Sequence, residues 1–187
     1  IAPVGTDNCS GVTTTRTAGL ASGSTFPVGV NTLTYTATDG AGNTTSCSFT
    51  ITVVDNIPPA IACPSNITVN ATAGTCGKVV TYTAPVGTDN CSGVTTTLTA
   101  GLASGSTFPV GVSTVTYTAT DGAGNSTSCS FTVTVLDNIP PVITGCPTNI
   151  SVNAGAACTA TASWTVPTVT DNCSGATITR TTGAAPG

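Results

Sequence analysis

The sequence predicts an all-β protein, a tandem array of β-sandwich modules of about 82 residues arranged end to end. Three observations carry this expectation. The hexapeptide Thr-Asp-Asn-Cys-Ser-Gly occurs at Thr6–Gly11, Thr88–Gly93 and Thr170–Gly175, each copy 82 residues after the one before. Self-similarity on a fixed period is the signature of a repeat architecture. Residues 1–59 and 83–141 differ at only seven positions, 1/83, 16/98, 31/113, 33/115, 44/126, 51/133 and 54/136. Thr, Ser, Gly, Ala and Val dominate the chain, and short alternating runs are separated by turn residues roughly every 8–12 positions, as in a β-sandwich. On this ruler residues 1–57 form the C-terminal part of a first module, 58–139 a complete module, and 140–187 the N-terminal part of a third.

The complete module reads as follows. Pro58-Pro59 fix an extended start. Ile61–Cys63 begins a strand that Pro64 interrupts and Ile67–Asn70 resumes. After a turn at Ala73–Thr75, Cys76–Ala84 forms the next strand, with Val80, Tyr82 and Ala84 on one face. The third copy keeps that phase with Ala162, Trp164 and Val166, which marks the face as core. Gly87–Gly93 is a loop, Val94–Thr99 a weaker strand, Gly101–Ser106 a loop, and Phe108–Gly111 a short edge segment. Val115, Tyr117 and Ala119 then alternate with Thr, Asp121-Gly-Ala-Gly-Asn125 turns, and Cys129, Phe131, Val133 and Val135 alternate with Ser and Thr. This is a β-hairpin.

Composition excludes several classes of function. The 187 residues carry seven Asp, no Glu, no His, and only Arg16, Lys78 and Arg180 as cations, for a net charge of −4. Nucleic-acid binding needs clustered Lys and Arg, so no nucleic-acid partner is expected. No run of about 18 apolar residues is present to span a membrane. Acid–base catalysis lacks a histidine, and the Asp residues recur in turns rather than converging as a unique pair. Catalysis is therefore not expected. Nine Cys recur on the same ruler without any Cys-x-x-Cys pair, which favours disulfides over a zinc site and implies an oxidising, extracellular or cell-surface location.

Several motifs occur in order and at consistent spacing: Ile-x-Cys-Pro, Thr-Asp-Asn-Cys-Ser-Gly, Ser-Thr-Phe-Pro-Val-Gly, Tyr-Thr-Ala-Thr-Asp, Gly-Asn and Ser-Cys-Ser-Phe-Thr-Val-x-Val. Together they resemble the HYR module, the hyalin repeat, over the whole chain. The resemblance implies an immunoglobulin-like sandwich, an extracellular setting and a role in adhesion, often in long arrays. The third copy departs by an extra Gly145 and by lacking a Lys at the position of Lys78.

Placed on such a sandwich, the acidic side chains gather at one pole of each module, where the preceding linker arrives. One set is Asp55, Asn56, Asp89, Asn90 and Asp121; the next junction assembles Asp137 and Asp171. Oxygen ligands from two loops and a linker suit Ca²⁺, which takes about 6–8 oxygens. The same residue types are also turn formers that bond their own backbone. Calcium at the junctions and plain turn chemistry are both open on the sequence.

The pole assignment also bears on Cys9, Cys47, Cys63, Cys76, Cys91, Cys129, Cys146, Cys158 and Cys173. Cys63, Cys91 and Cys129 map to one pole and Cys76 to the other. A strand of about eight residues spans roughly 26 Å, whereas a disulfide needs Cα atoms within about 7 Å. One scheme therefore pairs Cys91 with Cys129 and Cys9 with Cys47, and staples adjacent modules through Cys76 and Cys146. It leaves Cys63, Cys158 and Cys173 to partners beyond these residues. The competing scheme pairs all four cysteines inside each module. Asn43, Asn66, Asn70, Asn125 and Asn149 stand in Asn-x-Ser/Thr sequons and are candidate glycosylation sites.

The sequence thus points to a structural protein, a segment of an extracellular fibre or adhesin stalk that associates with modules of its own kind. The alternative is a module that binds cell-surface glycans or proteins. That reading needs a patch that varies between copies or exposes aromatics.

Overall fold

The computed structural model describes residues 1–183, so the last four residues of the 140–187 segment lie outside the described residues. The chain is all-β, in tandem units. The first unit contributes β1 (Thr13–Ala18), β2 (Gly29–Thr38) and β3 (Thr44–Val53), an antiparallel sheet in the order β1-β2-β3. The second contributes β4 (Ile67–Asn70), β5 (Gly77–Val79), β6 (Thr95–Ala100), β7 (Thr107–Pro109), β8 (Gly111–Thr120) and β9 (Ser126–Leu136). In the third, β10 (Val142–Thr144) pairs antiparallel with β11 (Thr168–Thr170).

The second unit has the two layers of an immunoglobulin-like sandwich. One layer is the sheet β4-β9-β8-β6; the other holds the β5–β7 pair and a single bridge between Ala60 and Thr88. That bridge sits where Val142 pairs with Thr170 one period later. Between the layers, Val80 and Phe108 pack against Val115, Tyr117, Phe131, Val133 and Val135. The alternation read from the sequence supplies this core directly, because a period of two sends every second residue to one face. Tyr82 extends it with edge-on packing against Phe131 at a centroid distance of 5.0 Å.

The β8–β9 hairpin closes as expected over Asp121–Asn125, with the Asp121 amide donating to the Asn125 carbonyl at 3.0 Å. On the outer face Thr and Ser hydroxyls bridge the strands. Thr118 Oγ1 lies 3.1 Å from Thr99 Oγ1 and 2.8 Å from Ser128 Oγ, and Thr116 Oγ1 lies 2.9 Å from Ser130 Oγ. The first unit repeats the pattern through Thr17, Thr36 and Ser46. Cross-strand hydroxyl pairs are worth about 0.2–1 kcal/mol each, so the Thr-rich face is held without charges.

Two strand expectations are corrected and a third strand forms as expected. Ile61–Cys63 forms no strand, because only Ala60 finds a backbone partner. The strand expected over Cys76–Ala84 is regular only at Gly77–Val79. Beyond it the chain bonds a loop instead: the Val80 amide donates to the Ser106 carbonyl, and the Tyr82 amide to Ser104 Oγ. The resumed strand β4 runs parallel to β9, pairing Ile67 with Val133 and Asn70 with Leu136.

Cys63 and Cys129 are bonded, with Cα atoms 5.6 Å apart and the two residues 66 positions apart in sequence. Both pack against the core, Cys129 in the inward phase of Phe131, Val133 and Val135. Cross-linking a loop of that length stabilises by about 4 kcal/mol in the chain-entropy account, a large share for so small a module. The expected Cys91–Cys129 bond is therefore not formed; Cys91 lies in the outer loop, while Cys63 meets Cys129 at the core.

Phe131 is 3% exposed, whereas its counterpart Phe49, on the uncovered face of the first sheet, is 46% exposed. Phe131→Ala should therefore cost about 3–5 kcal/mol, as buried Phe truncations do, and Phe49→Ala distinctly less. Urea midpoints of the two variants measure the difference, and equal losses would contradict the packing described.

Candidate functional site: the junction between modules

The junctions are built by the Asp-Asn-Cys loop, the linker before each Pro-Pro pair and the hairpin turn. In the loop, Asp89 Oδ1 accepts the Cys91 amide at 3.0 Å, and Asp171 Oδ1 accepts the Cys173 amide at 2.9 Å. This side-chain turn accounts for Asp two residues before Cys in the second and third copies, while in the first Asp7 Oδ1 accepts the Asn8 amide. The linkers use the same device: Asp55 Oδ1 accepts the Ile57 amide, and Asp137 Oδ1 the Ile139 amide, each at 3.2 Å.

Ligand atoms of Asp55, Asp89 and Cys91 lie within 4.8 Å of one another, as do those of Asp137, Asp171 and Cys173. The expected gathering of Asp55 with Asp89, and of Asp137 with Asp171, is thus what the fold produces. Asp121 is the exception. Its Oδ1 accepts the Ala123 and Asn125 amides and its Oδ2 accepts Asn125 Nδ2, all at 2.8–2.9 Å. Both oxygens serve the hairpin turn, and Asp121 stands outside the two close acidic clusters. Asn56 is exposed, and Asn90 turns its Nδ2 onto Cys91 Sγ at 3.2 Å.

Two further residues complete the junctions. Asn125 Nδ2 also donates to the Asp55 backbone carbonyl at 3.1 Å, tying the hairpin to the incoming linker. Asn172 Nδ2 of the third unit donates to the Thr75 carbonyl of the second at 3.0 Å. Beside that bond Cys76 is joined to Cys173, Cα atoms 4.8 Å apart and 97 residues apart in sequence. The staple between successive modules therefore exists, but its second half is Cys173 and not Cys146. Cys146 is the counterpart of Cys63, whose place is inside its own module. Cys63 and Cys173, expected to need outside partners, both find them within the chain. Cys9, Cys47, Cys91, Cys146 and Cys158 carry free thiols.

The sequons divide by what their amides do. Asn66, Asn70 and Asn149 are exposed. Asn43 Nδ2 is spent on Asp39, and Asn125 Nδ2 on Asp121 and Asp55. A sugar on Asn125 would remove a junction donor.

Electrostatics follow from these bonds. A hydrogen bond to the Asp55 carboxylate, with burial and the charges of Asp89 and Asp121 adding, pushes the Cys91 thiol above its ordinary value. Burial pulls Asp121 upward, but the hydrogen bonds from Asn125, Ala123 and Gly124 outweigh it and hold the carboxyl below 3.8. In the first unit the Asn43 side chain does the same for Asp39.

With this geometry established, the HYR domain family matches the chain over residues 2–53 and 54–135. The chain belongs to the HYR domain family. Hyalin of Strongylocentrotus purpuratus is 39% identical over 170 residues, spanning 87% of this chain and 14% of that protein. Hyalin of Lytechinus variegatus is 42% identical over 147 residues, 75% of this chain and 27% of its own length. The serine-rich adhesin for platelets of Staphylococcus aureus (strain MRSA252) is 32% identical over 155 residues, 71% of this chain and 11% of its own. The HYR chain thus spans a minor part of the relatives it matches. Family and disulfides together place it outside the cell or at its surface, as an adhesion-related repeat protein. Among the described residues no helix is long and apolar enough to cross a membrane.

The depressed Asp121 pKa fixes a sign for acid stability. Ionised Asp121 stabilises the fold above the ordinary carboxyl value of 3.8, and that stability is lost as pH falls through the lower folded value. Asp121→Asn should therefore show a smaller fall in urea midpoint than the parent between about pH 5 and about pH 2. Equal falls would remove Asp121 as a contributor.

Proposed function

We propose that this HYR chain is a segment of an extracellular fibre or adhesin stalk, in which covalent junctions hold successive modules at fixed spacing and orientation. The observation that carries the reading is the Cys76–Cys173 bond between the second and third units, with Asn172 bonded to Thr75 beside it. A linker alone leaves neighbouring domains free to move; a cross-link at the contact surface removes most of that freedom. Near-identity of residues 1–59 and 83–141 supports one repeated mechanical task over a set of distinct binding sites.

Association with modules of the same kind is the partner reading that fits best. Charged residues are 5% of the chain, so little repulsion opposes lateral contact between Thr-rich faces. A glycan- or protein-binding role has weaker support. Trp164 lines a cavity of about 310 Å³ with Pro147, Val166, Pro167, Ile178 and Arg180, on the face that carries core residues in the second unit. The reading assigns the chain no catalysis, in keeping with the lack of His and Glu.

A calcium ion at the stapled junction is a second reading, favoured by one observation. Asn172 Oδ1 is buried without a partner, next to Asp171 in sequence and at the Asp137–Asp171 pair. Two carboxylates and one amide oxygen fall short of the about 6–8 oxygens that Ca²⁺ takes, so water would complete the shell. Cys173, being in a disulfide, offers no thiolate.

With strands of about ten residues, each module should advance the axis by roughly 30–40 Å. Small-angle scattering of the oxidised chain should give one narrow distance distribution for the second and third units. Cys76→Ser, which spares the Cys63–Cys129 bond, should broaden it; an unchanged distribution would mean that the staple does not set the junction. For calcium, the melting temperature in Ca²⁺ should exceed that in EDTA by at least about 2 °C. Superimposable melts would remove the ion from the account.

A further inference from the structure

The two disulfides overlap along the chain instead of nesting. Their cysteines follow in the order Cys63, Cys76, Cys129, Cys173, with partners 66 and 97 positions apart. The Cys76–Cys173 loop therefore contains β5 through β9, the linker at 137–141, and β10 and β11. Drawn from its ends, the oxidised chain goes taut through Cys76 and Cys173 before any of these segments can be pulled out. Without that bond the shortest covalent path runs through Cys63 and Cys129, and it is longer by 31 positions, the difference between 97 and 66.

The two bonds differ in their surroundings. Cys63 and Cys129 pack against the core cluster that includes Phe131 and Val133. Cys76 is exposed, on a turn in which the Thr75 amide donates to the Thr72 carbonyl at 3.0 Å and the Thr72 amide to the Gly77 carbonyl at 2.9 Å. A thiolate thus reaches the Cys76 sulfur from solvent. Asn172 Nδ2, 3.3 Å from Cys173 Sγ, is placed to donate to the sulfur that departs. Exposed disulfides are the more readily reduced ones. Opening the bond leaves its two halves in register. The Val110 amide still holds the Cys76 carbonyl at 3.3 Å, and Asn172 still holds the Thr75 carbonyl. Reclosure is then an intramolecular step at high effective concentration.

We propose that the Cys76–Cys173 bond is a thiol-operated length lock, which small-molecule thiols open while Cys63–Cys129 stays closed. The inference rests on reading the chain as a stalk segment and names how that stalk is regulated. With the lock shut, axial tension passes from Cys76 to Cys173, and the linker before Pro140 is spared. With it open, the linker carries the tension and the core bond sets the new limit of extension. The module keeps the cross-link that its fold depends on in both states.

The chemistry is thiol–disulfide exchange. One thiolate attacks the Cys76 sulfur, the S–S bond breaks, and the electron pair leaves on Cys173, which takes up a proton. A second thiol displaces the first from Cys76. The protein gains two thiols, and the two reductant molecules leave as one disulfide.

The test uses the whole oxidised chain, with the free thiols of Cys9, Cys47, Cys91, Cys146 and Cys158 first blocked by iodoacetamide. Glutathione buffers of rising reducing strength are applied, and newly freed thiols are labelled with N-ethylmaleimide and mapped by mass. Cys76 and Cys173 should take the second label at a reducing strength about tenfold below that needed for Cys63 and Cys129, which corresponds to about 1.4 kcal/mol. Optical-tweezers extension of the same samples should show the unlocked chain longer at full stretch by 31 positions, about 100 Å at ~3.3 Å per residue. Labelling of both pairs together, labelling of the core pair first, or equal lengths at full stretch would each overturn the proposal. Its failure is separable from that of the stalk reading. A staple that narrows the scattering distribution yet resists thiols as well as the core bond does removes the lock alone.

Discussion

The junction depends on one short piece of local chemistry, the Asp carboxylate that turns back onto the amide two residues later. In the Asp-Asn-Cys loop this turn fixes where the cysteine points, away from its own core and toward the neighbouring module. The same turn at Asp55 and Asp137 sets the direction of the linkers before the proline pairs. Once both are fixed, Cys173 can meet only what lies across the junction, which is Cys76. The other cysteine pair is governed by the opposite rule. Cys129 follows the inward phase of its strand and meets Cys63 at the core. One bond thus belongs to the module and the other to the array.

This division assigns separate tasks to separate residues. Folding of a module rests on the inner alternation of β8 and β9, on Phe108 and Val80 from the facing layer, and on the Cys63–Cys129 cross-link. Spacing of modules rests on polar groups that the core never touches, namely Asn125 on Asp55 and Asn172 on Thr75. A protein with few charges and Thr-covered faces has little else with which to orient one domain against the next. Covalent and side-chain-to-backbone bonds take the place that ion pairs or broad apolar interfaces fill elsewhere.

Much of the module was legible because its decisive signals are local. Val115, Tyr117, Phe131 and Val133 announce their faces by alternation, and Asp121–Asn125 announces its turn. The collection of Asp55 with Asp89 followed from which pole each loop occupies. What escaped were features set by depth and by pairing between distant segments. Nothing local says that Ile67–Asn70 runs parallel to β9, or that β5 ends at Val79 because a glycine loop takes over its hydrogen bonds. The cysteine partners failed for the same reason. Cys63 and Cys91 share a pole with Cys129, and only packing distinguishes the inward one. The bottom-to-top staple was correctly placed at Cys76, yet its partner turned on the side-chain turn at Asp171, which aims Cys173 across the gap. That both oxygens of Asp121 serve the hairpin turn is likewise a matter of three-dimensional placement that composition cannot show.

The central claim is that one cysteine pair closes the module and another joins it to the next. Non-reducing peptide mapping of the oxidised chain tests it most directly. The account predicts a peptide joining Cys63 to Cys129 and another joining Cys76 to Cys173. Recovery of Cys91 with Cys129, or of Cys76 with Cys146 or with a cysteine of its own module, would contradict it.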